Sequence, residues 1–149
     1  MSLEPLQIVL VEDSLHDREM TLRVLKRHHV TNPVTVLEDG EHAIEYFFGD
    51  GVDTPARRRE TCVVLLDLKL PRVDGIEVLR RLKADATTRS IPVVVLTSSA
   101  EERDRLTSYD IGANSYIVKP IEFEPFAEAI SALGFYWCAL NTPAEGIRR

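Results

Sequence analysis

Five short apolar runs, each followed by polar residues, constrain the fold of this chain more than any other feature of its sequence. They are Gln7–Val11, Val34–Leu37, Cys62–Leu66, Ile91–Leu96 and Ser115–Val118. Most are rich in Val, Ile and Leu, and solid apolarity of this kind is typical of parallel strands that are buried on both faces. We therefore expect a β-strand at each run.

The segments between and after the runs predict five helices. Ser14 can cap the first helix, in which Leu15, Leu22 and Leu25 recur near helical spacing. The other four are expected around residues 43–48, 76–82, 100–109 and 123–140. Strands that alternate with helices predict an α/β fold, here a flavodoxin-like, doubly wound five-stranded parallel sheet in the order 2-1-3-4-5.

The length of the chain fits a single domain. At 149 residues it can bury a full core. We interpret residues 1–149 as one domain, with a core over about 6–133 and a helix extension and tail over about 134–149. The polar segment from Gly49 to Thr61 predicts a loop longer than most connections in compact α/β units.

Charge and composition exclude several classes of function. The net charge is −6, with 24 acidic residues against 18 Lys and Arg, which argues against nonspecific nucleic-acid binding. No apolar stretch approaches membrane-spanning length, and residues 1–5 lack the features of a signal peptide. Cys62 and Cys138 have no metal-ligand spacing. We expect a cytoplasmic protein that binds neither nucleic acid nor membrane.

Polar residues with distinctive chemistry follow four of the five predicted strands. Glu12 and Asp13 come after the first strand, Asp67 after the third, Thr97 after the fourth, and Lys119 after the fifth. In the predicted sheet the first and third strands are neighbours, and ligands bind beyond the carboxyl ends of strands at such a switch point. Three acids, a hydroxyl and an amine are therefore expected to converge at one edge of the sheet.

This combination of groups suits a divalent cation and a phosphoryl group. Carboxylates held close together repel one another unless a cation joins them, and Mg²⁺ prefers hard oxygen ligands and often bridges to phosphate. With a metal bound, an Asp oxygen can attack a phosphoryl group and form an acyl phosphate. Lys119 can then supply a positive charge to that group, and Thr97 a hydrogen bond.

With these residues in their order along the chain, the sequence resembles the response regulator receiver domain of two-component signalling. The resemblance covers roughly residues 6–133. Its motifs are Val11-Glu12-Asp13, Leu66-Asp67 with Pro71 and Gly75, Leu96-Thr97-Ser98, and Tyr116 with Lys119-Pro120. Each motif alone is weak, but the ordered set is highly specific.

The resemblance implies a role for each residue. Asp67 would accept a phosphoryl group from a phosphohistidine of a sensor histidine kinase. Asp13, Asp67 and the backbone carbonyl of Lys69 would ligate Mg²⁺, with Glu12 acting through water.

The resemblance also implies a conformational switch. Thr97 and Tyr116 would move when phosphate forms, and they would change the surface of the fourth helix and fifth strand. The Lys119–Pro120 bond is expected to be cis. The only reactions expected of the chain are its own aspartyl phosphorylation and dephosphorylation, so it would be a switch rather than an enzyme.

A narrower resemblance is to the single-domain regulators paired with bacterial and cyanobacterial phytochromes. It rests on the long loop before the third strand, on Ser98, on residues 108–110 and on the segment Gly134-Phe135-Tyr136-Trp137. It implies a homodimer formed through the last helix and the face of the fourth helix and fifth strand. The chain is expected to be a stand-alone receiver without an output domain.

Other interpretations remain at the level of single residues and of fold. Asp13 alone could cap a helix, and Tyr116 alone could be core or edge packing. A phosphohydrolase with an Asp nucleophile would carry a second Asp two residues on, where this chain has Lys69. A flavodoxin-type flavin carrier would need hydroxyls and amides where Glu12 and Asp13 stand. An interaction module that is not phosphorylated would have no need of the whole set.

Overall fold

The strands of the computed structural model, which describes residues 7–49, 62–70, 73–102 and 112–132, form one sheet. They are β1 (Gln7–Val11), β2 (Val34–Leu37), β3 (Cys62–Asp67), β4 (Val93–Thr97) and β5 (Ser115–Val118). All neighbouring strands are parallel, and their order is β2-β1-β3-β4-β5. The predicted fold class and strand order are thus confirmed.

The described residues include four helices: α1 (Leu15–Arg27), α2 (Gly40–Phe48), α3 (Gly75–Ala84) and a C-terminal helix whose described part is Phe123–Ala132. Ser14 caps α1 as predicted, since its hydroxyl accepts a hydrogen bond from the Asp17 N–H at 3.2 Å. Asp39 and Asp74 cap α2 and α3 through their side chains. None of the described helices is long and apolar enough to cross a membrane.

The core lies on both faces of the sheet, because successive residues of each strand point to opposite sides. On one face Val9 and Val11 pack with residues of α2 and α3, such as Phe47 and Leu79. On the other face Ile8 and Leu10 belong to a cluster with Leu25 of α1 and with Phe126 and Ile130 of the C-terminal helix. Both faces of the three central strands, β1, β3 and β4, are therefore buried, which explains their solid apolarity.

One strand begins later than predicted. The run from Ile91 predicts a strand from that residue, but β4 starts at Val93. Pro92 has no N–H to donate, and the Ile91 N–H bonds back to the Thr88 carbonyl at 2.9 Å in the preceding turn. The Pro92 carbonyl still accepts a hydrogen bond from Val64 at 3.0 Å, so the chain already lies beside β3 at that point.

Several predictions concern residues outside the described part of the chain. Residues 100–102 are helical. The rest of the predicted fourth helix falls within residues 103–111, which are outside the described part of the chain. The same holds for the predicted loop beyond residue 49, for Pro71, and for the extension and tail from residue 133, which include Cys138.

Candidate functional site

The register of the sheet brings the predicted acids together. Val11 is the partner of Leu66 across β1 and β3, so the residues that follow them, Glu12 and Asp67, lie side by side at the carboxyl edge. One carboxylate oxygen from each of Glu12, Asp13 and Asp67 lies within 4.8 Å of the others. The convergence expected from strand order is therefore present for all three acids.

Glu12 is the most deeply buried of the three acids, with 1% of its surface exposed. Its backbone N–H donates to the Leu37 carbonyl at 3.0 Å, and its Oε2 accepts the Ser14 N–H at 3.3 Å. Burial raises the pKa of Glu12 to about 7; the Lys119 hydrogen bond opposes the rise, and Asp67 adds to it. Any cation that enters the site would therefore stabilise the ionised form of Glu12.

Asp67 is the last residue of β3 and is 5% exposed, whereas Asp13 is exposed. Asp67 Oδ1 accepts the Lys69 N–H at 3.3 Å, and Asp67 Oδ2 lies 3.3 Å from Lys119 Nζ. The turn after β3 thus fixes one carboxylate oxygen and leaves the other facing an ammonium. A buried carboxylate held this way has one defined orientation toward the cleft, as a nucleophile requires.

Lys119 carries the positive charge of the site. Its Nζ lies 2.8 Å from Glu12 Oε1, 2.9 Å from Asp17 Oδ2 and 3.3 Å from Asp67 Oδ2. Burial alone would lower the pKa of Lys119, but the hydrogen bonds to Glu12 and Asp17 and the charge of Asp67 outweigh it and raise the pKa. The peptide bond from Lys119 to Pro120 is cis.

An open cleft of about 570 Å³ lies over these groups. The lining residues are Glu12, Asp13, Ser14, His16, Asp17, Met20, Asp67, Lys69, Ser98, Lys119 and Pro120. Asp67 is therefore buried in the fold and yet borders a space that a small anion, or the side chain of another protein, can enter.

Thr97 does not point its hydroxyl at the acids. It is the last residue of β4 and fully buried, and its Oγ1 donates to the Ser99 carbonyl at 3.2 Å. The backbone is fixed beside it, since the Lys119 N–H donates to the Thr97 carbonyl at 2.8 Å. Thr97 is thus at the edge of the site with its hydroxyl turned into its own loop.

Tyr116 is half-buried on β5, opposite Val95 of β4, and packs against the cluster that contains α2 and α3. Both interpretations of this residue, as packing and as a switch, are compatible with that position. It lies in the strand and not among the residues that line the cleft.

Two further acids contact residues that line the cleft and were not singled out from the sequence. Asp17 pairs with Lys119, and Glu102 Oε2 lies 3.8 Å from Lys69 Nζ. Glu102 Oε1 also accepts the Ser98 N–H at 3.2 Å. The place of Asp17 in the first turn of the helix that follows Asp13 was the available signal for the first; no comparable signal marks Glu102.

These groups form a donor set for a hard divalent cation next to a nucleophilic carboxylate. Glu12, Asp13 and Asp67 offer oxygens at close range, which fits Mg²⁺ or Mn²⁺ better than a softer metal. Among the described residues, one ammonium, that of Lys119, faces Glu12 and Asp67, so these residues neutralise the anionic charge of the site only in part.

Comparison with known proteins gives one consistent result. Residues 8–131 match the family model described as the response regulator receiver domain. The solved structure of the bacteriophytochrome response regulator AtBRR is 45% identical, covers 93% of this chain and 99% of its own, and superposes with a TM-score of 0.78.

Two curated relatives resemble the chain over most of their length. The probable methanogenesis regulatory protein FilR2 of Methanothrix harundinacea is 37% identical over 93% of this chain and 87% of its own. The response regulator Rcp1 of Synechocystis is 34% identical over 89% of each chain. A structure of the Mn²⁺-bound form of Rcp1 has a TM-score of 0.67, with 33% identity over 94% of this chain and all of the Rcp1 chain.

Proposed function

The chain belongs to the response regulator receiver domain family, and from this premise we propose that it is a phosphorylation-driven switch with Asp67 as the phosphoryl acceptor. One observation carries the proposal: Asp67 is buried at a strand end, within 4.8 Å of two other acids and 3.3 Å from a lysine ammonium. A purely structural core has no reason to gather these charges at the floor of an open cleft.

The proposed reaction is a transfer from nitrogen to oxygen. A carboxylate oxygen of Asp67 attacks the phosphorus of a phosphohistidine on a sensor histidine kinase; the P–O bond forms as the P–N bond breaks, and the imidazole leaves and takes up a proton. Lys119 neutralises charge on the transferred group. Thr97 donates a hydrogen bond to that group after its hydroxyl leaves the Ser99 carbonyl, now 3.2 Å away.

We propose Mg²⁺ as the cofactor, held by Asp13, Asp67 and the backbone carbonyl of Lys69, with Glu12 acting through water. Bound Mg²⁺ supplies Lewis-acid stabilisation of the phosphoryl oxygens. The close acidic oxygens support this assignment, as does the Mn²⁺-bound form of the relative Rcp1. Burial of Glu12 adds further support, because its charged form lacks enough positive partners without a cation.

The switch is proposed to run from Thr97 to Tyr116 and from there to a protein-binding surface. Thr97 pairs with Val118 at the end of β5, two residues beyond Tyr116. A movement of Thr97 would therefore occur directly beside the strand that carries Tyr116. A homodimer through the last helix and the face of the fourth helix and β5 is part of the proposal. Most of that surface lies outside the described residues.

A sensor kinase of the phytochrome class is the proposed partner. Support comes from the bacteriophytochrome response regulator AtBRR, which is 45% identical to this chain. FilR2 and Rcp1 are matched over 87% and 89% of their own lengths, and their similarity supports the proposal that this chain acts through protein contacts.

Intact-mass measurement after incubation with acetyl phosphate and Mg²⁺ tests the proposed function. We expect wild-type protein to gain one phosphoryl group, and we expect no gain in Asp67→Asn or in wild type with excess chelator. Asp74→Asn is the matched control, because Asp74 is the exposed N-cap of α3 and its replacement should leave the gain intact. A gain that persists in Asp67→Asn would contradict the assignment.

A further inference from the structure

We propose that Asp17 is a positioning residue that holds Lys119 in the resting site and opposes the capture of a phosphoryl group. This inference rests on the proposed function, because it concerns how Lys119 is released to the group on Asp67. It assigns a role to a side chain on α1 that lies outside the predicted set of site residues.

The contact is close and joins distant parts of the chain. Asp17 Oδ2 lies 2.9 Å from Lys119 Nζ, which is closer than the 3.3 Å between Lys119 Nζ and Asp67 Oδ2. The two partners are 102 residues apart in sequence, on α1 and on the loop after β5. In the resting site Lys119 is therefore held more closely by Asp17 than by the proposed phosphoryl acceptor.

Helix capping does not explain the direction of this carboxylate. An acid in the first turn of a helix is favoured by the helix dipole, and Asp17 is such a residue. Yet its backbone N–H is already satisfied by the Ser14 hydroxyl at 3.2 Å, and its side chain reaches Lys119 instead of the helix terminus. Helix stability accounts for an acid at this position of α1, but it does not account for the contact of the Asp17 carboxylate with Lys119.

The three carboxylates around Lys119 differ in their ability to release it. An ammonium has three protons to donate, and here it faces Glu12, Asp17 and Asp67. The Glu12 side chain is 1% exposed, whereas the Asp17 side chain is 35% exposed. Because only Asp17 can exchange its ion pair for water at modest cost, it is the partner that a phosphoryl group displaces.

Asp17 weakens the binding of a phosphoryl group in two ways. Its carboxylate competes for the Lys119 ammonium, and its negative charge repels the incoming anion. Neutralisation of Asp17 should therefore strengthen the binding of a phosphoryl group. A residue that merely helped to place Lys119 for that group would have the opposite effect.

The test is a titration with fluoroberyllate, a tetrahedral mimic of an aspartyl phosphate, at saturating Mg²⁺. We expect Asp17→Asn to bind it about 2- to 5-fold more tightly than wild type, the range of partly exposed ion pairs. Asp17→Glu, which restores the charge, should return close to wild-type affinity. Glu19→Gln makes the same change of charge at an exposed position of α1 and should have no effect.

A double-mutant cycle separates positioning from general charge. In a Lys119→Gln background, Asp17→Asn should no longer strengthen binding. Equal or weaker binding by Asp17→Asn, an equal gain in Glu19→Gln, or a gain that persists without Lys119 would each overturn the inference. Wild-type protein that binds no fluoroberyllate at all would instead contradict the proposed function, and this inference would fall with it.

Discussion

At the scale of single residues, the site is governed by the balance between one ammonium and several carboxylates. Lys119 faces Glu12 and Asp67, two of the three acids that offer oxygens to a cation. A divalent cation and Lys119 are therefore alternative neutralising charges for the same two groups. A cation that displaces the Lys119 ion pairs loses part of its favourable binding free energy, so its affinity depends on Lys119.

Removal of Lys119 should strengthen the binding of Mg²⁺. We expect Lys119→Gln to bind Mg²⁺ on the order of tenfold more tightly, because a positive charge close to two ligand carboxylates is lost. Isothermal titration calorimetry measures the change. Lys26→Gln is the control, because it removes the same charge at an exposed position of α1 that does not line the cleft. Weaker Mg²⁺ binding in Lys119→Gln would contradict this competition between the two cations.

Glu12 makes stability depend on pH in the metal-free protein. Burial raises its pKa from 4.5 to about 7, against the Lys119 hydrogen bond and with a contribution from Asp67. The folded state thus keeps a proton that the unfolded state releases above about pH 4.5. The stability that this provides is fully present below that pH and is lost as the pH rises through about 7.

Comparison with Glu12→Gln isolates this effect. In urea unfolding with chelator, the stability of wild type relative to Glu12→Gln should fall by about 1–3 kcal/mol between pH 4.5 and 8. Added Mg²⁺ should restore more stability at pH 8 than at pH 5.5, because the metal favours the ionised form. A stability difference that is the same at every pH would refute the assignment to Glu12.

The residues differ in how far the sequence could predict them. Glu12, Asp13, Asp67 and Lys119 each follow a recognisable strand, so strand order alone predicts their convergence. Asp17 belongs to a helix, and its contact with Lys119 depends on how α1 packs beside the loop after β5. The Thr97 hydroxyl bonds to its own loop, a choice of side-chain rotamer that no sequence pattern specifies.

At the scale of elements, the site depends on how closely α3 begins beside the end of β3. The Gly75 N–H donates to the Leu68 carbonyl at 3.1 Å. A Cβ on Gly75 would overlap the Asp67 carbonyl and approach the Leu68 Cα to 2.6 Å. The glycine is therefore required by this close approach, which holds the backbone of the proposed phosphoryl acceptor.

Gly75→Ala should both destabilise the fold and disturb the site. We expect a loss of roughly 2–4 kcal/mol in the free energy of unfolding, because the obstructing atoms are backbone and cannot rotate away. Urea unfolding measures it. Glu77→Ala, at an exposed position of the same helix, should stay within about 0.5 kcal/mol of wild type; a similar loss in both variants would contradict the argument from close approach.

Strands and helices were predictable at this scale because each has a local signal. Apolar runs mark the strands, and Ser14 marks the start of α1. The predicted start of β4 was wrong by two residues. An apolar run does not show where strand pairing begins, and here Pro92 lacks the N–H that pairing would need. The contact of Gly75 with the end of β3 depends on tertiary packing, which no local sequence pattern indicates.

At the scale of the whole molecule, function follows from topology. The strand order places β1 beside β3, and the aligned register brings Glu12 next to Asp67 although they are far apart in sequence. Lys119 reaches both from the far edge of the sheet, because β5 ends level with β4. A parallel sheet thus assembles at one edge the charges that its sequence distributes along the chain.

The decisive measurement is the identity of the phosphorylated residue. After brief incubation with acetyl phosphate and Mg²⁺, borohydride reduces an aspartyl phosphate to homoserine, and peptide mass spectrometry then locates the converted residue. We expect homoserine at position 67 and none at position 13 or 17, with no conversion when the metal is chelated. Homoserine at another aspartate, or the same amount without metal, would contradict the proposed function.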